Sequence, residues 1–190
     1  IGTRFSEGLL SRVTGISIAD IKVHLNAVYR QGYIHRIVDQ QGSYAFNHDR
    51  IRQAYYELLP SENTSRRHWV IGQECAEKAH RVGDDPLPHF LVALRDRQQL
   101  SDLVDADTYM KIIDAFYEGA ISAKEKTAND IAMQYIQCAL NIAETKEVDD
   151  FGRLGQLFLL QGELGYLTAD THLGGKSFQR YRLMNPDVKL

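Results

Sequence analysis

Tyr33-Ile34-His35-Arg36-Ile37-Val38, then Asp39-Gln40-Gln41-Gly42, then Ser43-Tyr44-Ala45-Phe46 is the stretch on which the fold turns. β-Branched and aromatic residues dominate both flanks, and the polar connection between them ends in glycine. The stretch therefore reads as a β-hairpin. Immediately upstream, Ser17 is placed to cap a helix whose Ile18, Ile21, Leu25 and Val28 recur at spacings of three and four, with Gly32 as its stop. Before it, Ser6 caps a shorter helix carrying Leu9, Leu10 and Val13, closed by Gly15. Two helices feeding a hairpin are the layout of a winged helix, which predicts a first domain over residues 1–60.

After Asp49 strand signals nearly vanish. Ile51, Ala54, Tyr55 and Leu58 predict a helix ended by Pro60. A second should run from about Glu62 to Arg81, with Trp69, Val70, Gln73 and Ala76 inward and Gly83 as its stop. Pro86 opens a shorter one bearing Phe90, Leu91 and Leu94. These connecting helices fill residues 61–104, and Trp69 is expected to pack against the winged helix and couple the two halves. Two helix pairs follow, 107–124 with 128–144 and 151–168 with 171–183. Gly119, Ala120 and Ala123 in the first pair, and Gly152, Gly155 and Gly162 in the second, mark points of close approach. Ala128, Ala132 and Ala139 line a face opposite Tyr135 and Leu140. Gly174-Gly175-Lys176 reads as a loop or helix break. Thirty-odd-residue helix pairs with small and aromatic positions predict a tetratricopeptide-like superhelix over residues 105–190. The fold class is mainly α, a winged helix followed by a tetratricopeptide-like α-helical array.

Composition narrows the function. With 190 residues, 44% hydrophobic and 25% charged, the chain has the make-up of a folded domain, which excludes the disordered and collagen-like classes. A net charge of −3 argues against a general nucleic-acid binder. Residues 105–150 hold four Lys/Arg against ten Asp/Glu, a solvated or partner-facing balance. Cys75 and Cys138 show no CxxC spacing, so a disulfide framework and a cysteine zinc site are not expected. Both read as buried small hydrophobes in a reducing, cytoplasmic compartment. No HExxH or other metal-ligand spacing joins the histidines, and His68 with His89 would meet only through tertiary structure. No apolar run approaches the ~20 residues that span a bilayer. The chain opens Ile1-Gly2-Thr3-Arg4-Phe5 without an initiator Met and reads as a piece of a longer polypeptide.

Tyr44-Ala45-Phe46-Asn47-His48-Asp49-Arg50-Ile51-Arg52-Gln53-Ala54, running on to Leu58-Leu59-Pro60, resembles the segment that follows the nucleotide-binding module in STAND-type signalling ATPases. It is closest to the predicted ATPase regions of multidomain sensor histidine kinases and their serine/threonine-kinase fusions. Ile1-Gly2-Thr3-Arg4-Phe5 upstream, His68-Trp69-Val70-Ile71-Gly72, Pro88-His89-Phe90-Leu91 and the Ala/Tyr-rich run from Ala120 to Ala143 extend the resemblance over residues 1–145. The resemblance implies a regulatory or sensor arm. Its winged helix would pack on an upstream nucleotide-binding domain of the same chain, and its helical repeats would receive a protein or small-molecule signal. ATP or ADP would belong to the parent protein. No GxxxxGK[ST] loop occurs here, so the piece itself is expected to be non-catalytic and to hold no cofactor or metal.

His48 is the residue that the resemblance singles out. In related switch ATPases a histidine at the end of the winged helix reaches the β-phosphate and holds the diphosphate-bound state, and an imidazole N–H suits that role. Its structural alternative is to cap the third helix or to satisfy a hairpin carbonyl. Arg50 and Arg52 face phosphate or the ATPase module in the functional reading and solvent in the structural one, while Asp49 suits the helix N-terminus. Acid pairs such as Asp84-Asp85 and Asp149-Asp150 suit turns. Two other function classes remain open. One is a transcription regulator reading DNA with Ser17–Gln31, for which Lys22, Arg30 and the wing's Arg36 offer few cations. The other is a free-standing helical-repeat adaptor.

Overall fold

A computed structural model describes residues 4–58, 64–77, 85–94 and 108–186, which are mainly helical with one three-stranded antiparallel sheet. The chain divides into two units, Ile1–Ala93 and Leu94–Leu190. The boundary puts the helices read as connectors, up to Ala93, in the first unit.

The hairpin forms where its sequence places it, between β2 (Ile34–Arg36) and β3 (Ser43–Phe46), with His35 opposite Ala45. Its first strand is shorter than the Tyr33–Val38 run. The Gln40 amide donates to the Ile37 carbonyl at 3.2 Å, so the chain turns at Ile37 and leaves Val38 exposed at the tip. A strand that the sequence reading omits, β1 (Arg4–Ser6), pairs with the other edge of β3, Phe5 opposite Tyr44. The sheet order is therefore β1-β3-β2. α1 (Glu7–Thr14) and α2 (Ile18–Arg30) lie between β1 and β2 in the chain. Both start as expected, the Leu9 amide donating to Ser6 Oγ and the Asp20 amide to Ser17 Oγ, each at 3.2 Å. Gly15, at φ 74°, closes α1 in the left-handed conformation that glycine adopts without strain. Phe5, Ile21, Leu25, Ile34 and Tyr44 form the core of this part, backed by Leu9, Leu10, Val28 and Phe46.

α3 (Asp49–Glu57) follows the hairpin, then α4 (Thr64–Glu77) and α5 (Leu87–Ala93). The stops assigned to Pro60 and Gly83, the predicted helical residues past Glu77 and the turn residue Asp84 lie outside the described residues. The buried face of α4 departs from expectation: Trp69, Ile71, Gly72 and Cys75 are buried, whereas Gln73 and Ala76 are exposed. Gly72 is the cause, because a Cβ there would lie 2.6 Å from the Phe90 ring, so the bare backbone admits α5 on this side. Trp69 packs at 5.2 Å on Phe90, while the core around Ile34 draws its members from residues 5–46. α4 meets the first helices through α1, where Arg12 pairs with Glu74.

The second unit contains α6 (Tyr109–Glu125), α7 (Asn129–Thr145), α8 (Phe151–Leu167) and α9 (Thr171–Met184), within two residues of the predicted bounds. Both helices of the second pair begin 42 residues after their counterparts, Tyr109 to Phe151 and Asn129 to Thr171. The unit is thus longer than the thirty-odd residues expected, because each first helix has 17 residues. The same step relates Phe116 to Phe158, Ala120 to Gly162, Ala123 to Gly165 and Ala132 to Gly174. It also relates Thr127 at φ 61° to Ala169 at φ 62°, the left-handed turn residue within each pair.

Among the described residues α6 packs on α7, α7 on α8 and α8 on α9, with no comparable packing of α9 onto α6, so the helices form an open stack. Asp114 pairs with Arg153, and Lys124 with Glu163, which sets α6 and α8 side by side and parallel. α7, packed from both sides, buries Tyr135 and Leu140 as well as Ala132 and Ala139. In the second pair close approach occurs at Gly155, where an added Cβ would fall 2.6 Å from the Asn185 side chain, and at Gly162 against the Phe178 ring and Gly165 against the Gly174 backbone, where it would fall 2.7 Å from the nearest atom. Gly174 is therefore a helix–helix contact inside α9 and not a loop or break. Gly152 makes no such contact, its absent Cβ facing only Asp150 of its own turn.

Candidate functional site

The first turn of α3 holds the three residues singled out from sequence. β3 ends at Phe46, the chain bends at Asn47, His48 is extended (φ −144°), and the helix begins at Asp49. His48 occupies the N-cap position, but its imidazole makes no cap bond, and no hydrogen bond among the described residues involves it. The capping alternative is thereby removed. His48 and Arg50 are exposed. Arg52 lies 3.5 Å from Asp49, one turn back, and its Nε is buried without a hydrogen-bond partner. The result is a helix N-terminus with a free imidazole, two guanidinium groups and the exposed Asp49 carboxylate, where the Ile51 and Arg52 N–H groups already donate to the His48 carbonyl. Cations at this end of a helix oppose its dipole, whereas an anion there would be met by those cations.

A second cluster was not foreseen as a unit. Tyr56 on α3, His68 on α4 and His89 on α5 form a chain, with Tyr56 Oη 3.1 Å from His68 Nε2 and His68 Nδ1 3.1 Å from His89 Nδ1. Two ring nitrogens at that distance share one proton, so one imidazole donates and the other accepts. Burial, reinforced by the neighbouring His89, pushes the His68 pKa down to about 4, so the ring is neutral at physiological pH. The sequence signal was the position of His68 beside Trp69 and of His89 beside Phe90, each next to a residue that the α4–α5 contact buries. No group of three or more His, Cys, Asp or Glu side chains among the described residues could hold a metal ion.

Of the three cations offered for DNA reading, Lys22 on α2 and Arg36 on β2 are engaged within the fold, whereas Arg30 at the end of α2 is exposed. Lys22 sits 3.5 Å from Glu7, which also accepts from the Tyr44 hydroxyl at 3.0 Å. Burial and that carboxylate hold the Tyr44 phenol above its ordinary range. Arg36 donates to Asn26 Oδ1 at 2.9 Å and stacks 5.1 Å above the Tyr29 ring. What α2 leaves exposed is apolar in part, with Ile18 and Val23 on its surface.

Cys75 and Cys138 are both buried, as expected, and burial pushes the Cys138 thiol up to about 12, far from a reactive thiolate. None of the described helices is long and apolar enough to cross a membrane. Comparison with protein-family models, with curated proteins and with solved structures finds no match for this chain.

Proposed function

We propose that the chain is the regulatory arm of a STAND-type signalling ATPase within a cytoplasmic histidine kinase. In this reading residues 4–58 form a winged helix that docks on an upstream nucleotide-binding domain. Residues 109–186 form a tetratricopeptide-like array, with pairs longer than the usual 34 residues, that receives the signal. Sheet order β1-β3-β2 with two helices between β1 and β2 supports the first assignment, and the open stack with its 42-residue step supports the second.

The observation that carries the reading is His48, an exposed imidazole at the start of α3 that the fold itself does not use. Beside it, Arg50 suits a phosphate. Arg52 adds charge at the same edge. The engaged Lys22 and Arg36 favour protein docking over DNA binding for α2. Catalysis is assigned to the parent's nucleotide-binding domain, with ATP or ADP as its ligand.

The test is ADP affinity of the full-length parent with His48→Ala. Loss of one charge-assisted donor, worth about 1.5–3 kcal/mol, should weaken binding roughly tenfold to a hundredfold. The melting temperature of this chain alone should stay unchanged. If the chain unfolds while ADP affinity of the parent holds, His48 is a structural residue and the reading fails.

A further inference from the structure

Two imidazoles that no ligand spacing joins in sequence meet in the fold. α4 and α5 come together where Gly72 admits the Phe90 ring and Trp69 packs on that ring at 5.2 Å. His68 and His89 are the chain neighbours of Trp69 and Phe90, and each is half-buried beside a buried ring. Their Nδ1 atoms stand 3.1 Å apart and their ring centres 5.1 Å apart, so the rings meet edge to edge and do not stack.

These distances suit two ligands of one ion. An ion about 2.05 Å from each nitrogen would see the 3.1 Å separation under an angle of about 98°. In line with both rings, it would hold their centres about 4.8 Å apart, a few tenths of an ångström closer than they stand. The far nitrogen of His68 is already engaged, because Nε2 lies 3.1 Å from Tyr56 Oη on α3. With its proton on Nε2, His68 donates to the phenol oxygen and keeps a bare lone pair on Nδ1, the arrangement that orients a ligating imidazole. Burial keeps this ring neutral at physiological pH, so it ligates without first losing a proton. The proton held between the two Nδ1 atoms then passes through solvent to His89 Nε2.

We propose that His68 Nδ1 and His89 Nδ1 bind one zinc ion and that Tyr56 orients His68 as its ligand. Imidazole selects Zn²⁺ and its transition-metal neighbours over the hard cations Mg²⁺ and Ca²⁺. No third His, Cys, Asp or Glu side chain among the described residues completes the group, so water fills the remaining positions. The ion acts as a clip between α4 and α5, and its binding free energy adds to the stability of this part of the fold. The site is independent of any nucleotide role for His48.

The probe is Zn²⁺, titrated by calorimetry near neutral pH into the whole chain carrying no histidine tag. One ion per chain should bind with a Kd on the order of 10 μM. Saturation should raise the melting temperature followed by Trp69 fluorescence by about 5 °C or more. His68→Gln and His89→Gln should each weaken binding at least tenfold. Tyr56→Phe should weaken it roughly tenfold with the stoichiometry kept, and His172→Gln on α9 not at all, each with an unchanged circular dichroism spectrum. On the unaltered chain Cu²⁺ should quench Trp69, the single tryptophan, with an endpoint at one equivalent that EDTA reverses. Absence of saturable Zn²⁺ binding below about 1 mM, one ion shared by two chains, binding that survives either histidine change, or quenching without an endpoint would overturn the proposal. None of these outcomes bears on the ADP measurement with His48→Ala, so the two readings fail separately.

Discussion

Among the described residues, Phe5, Ile21, Leu25, Ile34 and Tyr44, between 2% and 8% exposed, form the buried cluster under the sheet of the first unit. The helical stack of the second unit buries Phe116, Ile136, Ile142, Leu157 and Leu164 completely. A thin core leaves polar side chains such as His48 and Arg50 at the surface beside the strands. A thick one spends its side chains on packing. The comparison extends to how contact is gained. Side-chain caps start helices in both units, and glycine admits a neighbouring ring in both, Gly72 for Phe90 and Gly162 for Phe178, while Gly165 against Gly174 in the second unit brings two helix backbones together.

Truncation in the two cores should break the comparison most visibly. Phe116→Ala should cost about 4 kcal/mol and Leu25→Ala about 2–3 kcal/mol, measured by denaturant titration followed by circular dichroism. Equal losses would mean that the two cores are packed alike. Next comes the glycine seam. Gly165→Val pushes side-chain atoms into the Gly174 backbone and should destabilise by about 3 kcal/mol. Gly175→Ala, one residue from that seam and facing open space, should stabilise by about 0.5–1 kcal/mol through helix propensity. Matching signs for the two changes would remove the seam from the account.

A smaller effect separates the units by pH. The neutral His68 is favoured in the fold, so the unfolded chain takes up its proton first as pH falls. Its contribution is complete above pH 6.5 and is lost between 6.5 and about 4. At about 1.4 kcal/mol per tenfold change in proton affinity, and discounted for partial exposure, the loss should be about 2 kcal/mol. Trp69 is the single tryptophan, so its fluorescence reports this unit alone. His68→Gln should flatten the dependence between pH 6.5 and 4, and a slope that persists would place the titrating group elsewhere.

Much of the architecture was legible because it rests on local chemistry: serine caps, Gly15, the hairpin residues and the 3.6-residue periodicity that fixed the four helices of the second unit. β1 was not legible, since three residues carry no period and only pairing with β3 defines them. The rotated face of α4 was hidden because Gly72 matters only once Phe90 is opposite it. The 42-residue step stayed hidden behind substitutions that keep size and not identity, Ala120 for Gly162 and Ala132 for Gly174. At the site, His48 was visible through resemblance and its unbonded imidazole only through the structure. The Tyr56–His68–His89 chain joins three helices whose spacing in sequence says nothing of their contact.

The central claim, that this arm distinguishes nucleotide states through His48, is tested most directly by comparing ADP and ATP affinities of the full-length parent before and after His48→Ala. If the imidazole supports only the diphosphate-bound state, as proposed, the expected result is a tenfold to hundredfold loss for ADP, with ATP affinity changed by less than about threefold. Equal loss for both nucleotides, or no loss for ADP, would contradict it.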